Sequence, residues 1–255
     1  MTAEKQASTL PLFYKNPEPL DSKRHANLAL KKDFGLKFTK NVNAVPITMI
    51  EMAQICHSYP IAFSPDSNAT PVAILGLRDN ENLFVDNKGN WENDTYIPSY
   101  IRRYPFIFSE HQGGDQLTLC MDINQDVTED NGEQKFFEAD GQPTALSKNA
   151  LEFCKSYHAA AQQTIAFGQG LHNAGLLVER AAEIVIPNGQ QGGQKISFSG
   201  FRIIDEQKLA ELDEKTFLDF RKKGWIPFIY AHLFSGAQWA RLTRQLNERV
   251  KKSAA

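Results

Sequence analysis

Leu176–Ile186 (LLVERAAEIVI) and Lys195–Ile204 (KISFSGFRII) flank Pro187–Gly193 (PNGQQGG). Two apolar runs on either side of a glycine-rich tip predict one continuous antiparallel hairpin over 176–204. Just before it, from Leu146 to about Asn173, Leu151, Cys154, His158, Ala161, Ile165 and Gly168 recur at spacings of three and four. That period predicts the longest helix of the chain, with one apolar face and Gly175 as its stop. A long helix that feeds a hairpin is not a strand–helix–strand crossover. The fold class that follows is α+β with a mixed or antiparallel sheet, not a doubly wound parallel one.

Downstream, Asp205 and Asp213 each suit the cap of a short helix, the second ending near Gly224. Trp225–Leu233 is apolar and aromatic. Ser235-x-x-Gln238 reads as a capping box that opens a final helix carrying Trp239, Leu242, Leu246 and Val250. Upstream, Val45–Ile47, Ile61–Phe63, Val72–Leu77, Phe106–Phe108 and Leu117–Met121 read as short strands. Thr48-x-x-Glu51 is a second capping box, before a short helix to about Ser58. Leu83–Val85 runs into the turn Asp86–Gly89, with Trp91 just beyond. Residues 122–140 hold seven acids against one lysine and are expected to form an exposed, mobile loop. Residues 1–22, with Pro11, Pro17 and Pro19, read as an extended arm tacked on by Leu12, Phe13 and Tyr14. A single domain over 23–252, with one long helix and a C-terminal helix, is the organisation expected.

Composition narrows the class of function. Of 255 residues, 42% are hydrophobic and 23% charged, which suits a folded domain of ordinary make-up. The net charge of -2 gives no reason to seek nucleic acid. No run approaches the ~20 apolar residues of a membrane span, and the N-terminus has no apolar core of a secretory signal. Cys56, Cys120 and Cys154 are distant and odd in number, which argues against a disulfide framework. A cytoplasmic protein without a transmembrane segment is the expectation.

Chemistry-bearing motifs are sparse. Gly168-Gln-Gly170 misses the last glycine of a dinucleotide fingerprint and falls within the helix. Phe198-Ser199-Gly200 lies in a strand and lacks the elbow of a serine hydrolase. Cys154 and His158 share a helix face, but an apolar one, so we read a packed thiol beside a core histidine. Asp122, Asn124, Asp126, Thr128, Asp130 and Glu133 stand at calcium-loop spacing, yet Val127 occupies the glycine position and no helices flank the loop. We expect no metal and no cofactor. The basic last helix, with Arg241, Arg244, Arg249, Lys251 and Lys252, reads as a solvated face. Arg102-Arg103 among Tyr96, Tyr100, Tyr104, Phe106 and Phe108 is compatible with bidentate capture of a carboxylate or phosphate. The commoner arrangement for such a pair is structural, one arginine buried and the other exposed.

Several ordered words carry a family resemblance: Tyr59-Pro-Ile-Ala-Phe63, Pro71–Leu77, Asn82–Asp86 with Gly89 and Trp91, and above all Tyr96-Ile-Pro-Ser-Tyr-Ile-Arg-Arg-Tyr-Pro-Phe106. Gly200-Phe201, Ile204-Asp205-Glu206 and Tyr230-Ala-His-Leu233 continue the pattern. Over roughly 11–245 the chain resembles the SapC family. The resemblance implies a bacterial context linked to a surface-layer, uptake or peptide-modification system, and brings no catalytic residue with it. The expected role is a non-enzymatic accessory protein that binds a small-molecule or peptide ligand, or a protein partner. Tyr96, Tyr100, Arg102, Arg103, Tyr104 and His232 are its candidate ligand-binding residues. The alternative is an enzyme on a peptide-like substrate, with Arg102 or Arg103 as carboxylate anchor and His111 or His232 as acid–base group.

Overall fold

The computed structural model describes residues 10–110, 117–186 and 194–254. The strands are β1 (Pro17–Pro19), β2 (Leu28–Leu30), β3 (Ala44–Pro46), β4 (Ile61–Phe63), β5 (Pro71–Ile74), β6 (Phe106–Glu110), β7 (Leu117–Asp122), β8 (Thr128–Asp130), β9 (Gln134–Lys135), β10 (Leu177–Ile186) and β11 (Gln194–Ile204). The helices are α1 (Met52–Ile55), α2 (Ser99–Arg103), α3 (Ala145–Asn173), α4 (Glu206–Ala210), α5 (Glu214–Lys222), α6 (Ile226–Ser235) and α7 (Gln238–Ala254). Every strand pairing among the described residues is antiparallel. The fold is α+β, as the hairpin reading requires.

Two compact units are distinguished: residues 1–34 with 103–155, and 35–102 with 156–255. The larger unit holds a five-stranded sheet in the order β10-β11-β4-β5-β3. Its hairpin runs in register from Leu177↔Ile204 to Ile186↔Gln194, with one irregularity between Arg180 and Ala182. The tip 187–193 lies outside the described residues. Tyr59, Phe63, Phe84 and Phe167 are the largest fully buried side chains of this unit, with Ile47, Met52, Ile55 and Leu75 around them.

The smaller unit carries two three-stranded sheets, β1-β7-β6 and β8-β2-β9. Its core gathers Leu30, Phe106, Met121, Phe136, Ala150 and Cys154. Residues 14–19 join this unit: β1 pairs with β7, and the Tyr14 hydroxyl donates to the Phe106 carbonyl at 2.5 Å.

Three expectations are corrected. The acidic segment is not an exposed loop, because β8 and β9 both pair with β2 while Val127 and Phe136 are buried. The acids Glu129, Asp130 and Glu133 face solvent between those anchors. Helix α3 buries Ser147, Ala150, Cys154, Ala160, Thr164, Phe167, Gly168 and Leu171, so of the expected face only Cys154 and Gly168 are fully covered. Leu151, His158, Ala161 and Ile165 lie at its margin. Ser235 ends α6 and caps nothing: its hydroxyl donates to the His232 carbonyl at 2.6 Å and accepts the Ile61 amide at 2.9 Å. Asp205 and Asp213 do cap α4 and α5, each accepting amides of the first turn.

Candidate functional site: a cleft beside Trp91

The site is assembled around one fully buried phenol. The Tyr59 hydroxyl donates to the Tyr96 carbonyl at 2.7 Å and accepts the Trp91 indole N–H at 3.0 Å. Burial pushes this phenol up to about 12, so it stays protonated and can do both. Trp91 stacks on Phe84, the rings 6.3 Å apart and 21° from parallel. The two residues sit on either side of the turn 86–89, closed by the bridge Val85↔Trp91. Asp86 shapes that turn by accepting the amides of Lys88 and Asn90, and Gly89 supplies φ +89. Those amide bonds, that from Asn90 foremost, hold the Asp86 carboxyl below the usual carboxylate range.

Helix α7 forms the opposite wall. The Arg241 guanidinium lies 5.5 Å from the Phe84 ring centre and pairs with Glu92 Oε2 at 3.0 Å. Gln245 Nε2 donates to the same oxygen at 2.8 Å. Arg249 reaches past them to the carbonyls of Asn82 at 2.8 Å and Leu83 at 3.3 Å. The solvated basic face expected of this helix is therefore partly a docking face. Between the walls lies a cavity of about 630 Å3 floored by Phe84 and Trp91. Ligand pockets run from about 300 to 1,000 Å3, so the volume is that of a small-molecule or short-peptide site. A second cavity of about 710 Å3 shares Val85, Asp86, Arg249 and Lys252 with the first.

The residues singled out from sequence fall in three places. Tyr96 is half-buried, and its hydroxyl donates to Glu51 Oε1 at 2.9 Å. Arg102 is exposed and donates to that same hydroxyl at 2.7 Å and to the Ile97 carbonyl at 3.0 Å. Burial, together with the Glu51 carboxylate, pushes the Tyr96 phenol up to about 12. Tyr100, buried on the same segment, meets Tyr157 edge-on. Arg103 and Tyr104 belong to the smaller unit. There the Arg103 guanidinium lies over the Tyr14 ring, and the buried Tyr104 hydroxyl donates to Asp122 Oδ2 at 2.9 Å. Burial, with Asp122 beside it, pushes the Tyr104 phenol up. His232 is in the core of the larger unit, its ring 5.1 Å from that of Phe63 and its Nε2 accepting the Ile204 amide at 3.1 Å. Burial lowers it to about 4, so it is neutral near pH 7. His111 lies outside the described residues.

Two side chains escaped the sequence reading. Glu51, noted only as a capping-box carboxylate, is buried and accepts five donors. They are the Thr48 amide and hydroxyl, the Tyr96 hydroxyl, and the Ser99 amide and hydroxyl, at 2.6–3.0 Å. One carboxylate thus caps the starts of two elements nearly fifty residues apart. Arg202, also buried, donates to the Ser64 and Asp66 carbonyls and to His172 Nδ1. A guanidinium has no acceptor, so Nδ1 of His172 must be the unprotonated nitrogen. The capping-box spacing marks only the Thr48 half of the Glu51 network; its partners Tyr96 and Ser99, like those of Arg202, are remote in sequence.

Asp122, first position of the calcium-like string, is fully buried and accepts the amides of Lys15 and Asn16, the Tyr104 hydroxyl and the Asn124 amide. Its oxygens are therefore engaged by protein donors. All three cysteines are buried, and burial pushes the Cys154 thiol up to about 11. A thiol held so far above neutral pH is packing material.

Antiparallel sheets, a long helix and a cleft walled by the last helix define an α+β protein. Residues 20–242 match the SapC family, and the chain belongs to it. No curated protein and no solved structure matches the chain. No helix among the described residues is long and apolar enough to cross a membrane.

Proposed function

We propose that this SapC-family chain is a non-enzymatic accessory protein that binds a small-molecule or short-peptide ligand in the cleft beside Trp91. The observation that carries the reading is the stacked Phe84–Trp91 floor of a 630 Å3 cavity, held from beneath by the Tyr59 hydroxyl. The half-buried Trp91 ring supplies contact area at little entropic cost, with the buried Phe84 behind it, and the charged rim can orient a polar ligand. The tyrosine–arginine block supports that site in two ways. Tyr96 and Arg102, the half-buried and exposed members, add a recognition edge, while Tyr100 and His232 hold the core of the same unit in place and Arg103 and Tyr104 serve the smaller unit. The surface-layer, uptake or peptide-modification setting belongs to this proposal, as does a cytoplasmic home, which three free and buried thiols suit. The enzymatic alternative has less to stand on, since Nε2 of His232 is already occupied by a backbone amide.

The test is retention of ligand. The full chain is incubated with short tryptic peptides of a bacterial lysate, separated by ultrafiltration, and the bound fraction is read by mass spectrometry. We expect a peptide subset retained by the wild type, lost in Trp91→Ala and weakened in Arg102→Ala. Equal retention by Trp91→Ala would remove the cleft as the binding site.

A further inference from the structure

We propose that the groove between α4, α5 and α6 is a docking surface for a protein partner, and that it takes an apolar segment carrying lysine or arginine. The groove shares no lining residue with the Trp91 cleft, so the two readings stand apart. Seven large hydrophobic side chains are exposed among the described residues, and four of them, Phe217, Leu218, Tyr230 and Phe234, stand on α5 and α6. Surface hydrophobics scattered singly are ordinary, whereas a gathered set marks an interaction site. Phe234 is 69% exposed, and its ring lies against that of Tyr230 at 6.2 Å. The two are one turn apart on α6, so they form a single ledge.

Beside the ledge, Leu209, Leu212, Phe217, Tyr230 and Leu233 line a cavity of about 470 Å3. Grooves of this kind take the apolar anchors of a partner segment. The walls are held in place without it: Asp205 and Asp213 cap α4 and α5, and the buried Phe220 packs on Trp225 at 5.2 Å. Charge then selects the occupant. Glu206 and Glu214 are the only charged residues of the lining, and neither makes an ion pair among the described residues. No base of α4 or α5 lines the groove. Lys208 Nζ reaches the Gly175 carbonyl at 3.2 Å, and Lys223 pairs with Asp219 at 2.7 Å. An apolar floor with acids alone at its edge complements a segment with apolar anchors and basic neighbours, and repels an acidic one. The same acids oppose an anionic lipid surface. A two-fold contact through this groove would gather the acids of both copies at one interface, which disfavours a second copy as the occupant.

The probes are three short amphipathic peptides with leucine at the same positions and lysine, glutamine or glutamate at the others. Binding to the full chain is read by fluorescence anisotropy at physiological ionic strength, where weak surface attraction is screened. We expect the lysine peptide to bind saturably and at least tenfold more tightly than the glutamate peptide, with the glutamine peptide between them. Phe217→Ser should lower that affinity at least fivefold, and Leu10→Ser, an exposed apolar position on the arm, should leave it unchanged. Glu206→Gln with Glu214→Gln should bring the lysine and glutamine peptides to equal affinity. The lysine-to-glutamate ratio in the unsubstituted chain keeps the test decisive should Phe217→Ser fold poorly. Equal binding of the lysine and glutamate peptides, or full binding by a folded Phe217→Ser, would overturn the proposal. So would a chain that sediments as a dimer and becomes a monomer in Phe217→Ser, which would give the groove to a second copy. Retention on phosphatidylglycerol vesicles that is lost in Phe217→Ser would give it to a membrane and overturn the proposal as well.

Discussion

Glu51 and His232 show how much of this protein rests on single buried polar groups. Glu51 accepts five hydrogen bonds, so its loss strands buried donors at Thr48 and Ser99. Glu51→Ala should therefore cost about 3 kcal/mol or more, read as a lower urea midpoint, since stranded buried donors carry the full desolvation penalty. An unchanged midpoint would mean the network is dispensable. His232 gives a pH dependence of determinate sign. Its native pKa, about 4, lies below the ordinary value of 6.5. Between those values the unfolded chain binds a proton that the folded chain refuses, so stability falls as pH drops from about 6.5 towards 4 and is constant above. The full loss is on the order of 3 kcal/mol. His232→Gln, which keeps an acceptor for the Ile204 amide, should flatten that part of the pH profile. A slope equal to wild type would assign the loss to other groups.

Elements tell a different story, because most of them are set by local pattern. The hairpin, the long helix and the caps at Asp205 and Asp213 were legible since period and capping chemistry lie within a few residues of sequence. The acidic segment reads as a loop because β8 and β9 find their partner in β2, a hundred residues upstream. The Ser235 box failed for the same reason, its hydroxyl being taken by the distant Ile61 amide. The cleft was illegible because its floor comes from 84–91 and its wall from 241–252. Helix α3 offers a test of packing at this scale. A Cβ on Gly168 would stand 2.1 Å from the Asn68 carbonyl oxygen and 2.5 Å from that of Ala69. Alanine in mid-helix gains about 1 kcal/mol of propensity, but overpacking against fixed backbone costs about 1–3 kcal/mol. We expect Gly168→Ala to lower the denaturant midpoint, and a raised midpoint would show that the 68–69 turn yields freely.

At the scale of the whole molecule, each compact unit is built from two separate stretches of chain, and α3 contributes residues to both. Cys154 serves one core and Phe167 the other, thirteen residues apart on one helix. We therefore expect 23–252 to unfold as one domain, with circular dichroism and tryptophan fluorescence tracing coincident urea transitions. Two resolved transitions would divide it into two domains. Function also belongs to this scale, since the cleft exists only when the final helix is docked on 82–92. The most direct measurement is the indole N–H spectrum of the full chain, with Trp91 assigned through Trp91→Phe, during titration with the pool of short tryptic peptides. We predict saturable movement of the Trp91 resonance while that of buried Trp225 stays fixed. A Trp91 signal that does not move, or three indole signals that drift together, would contradict a binding site at this cleft.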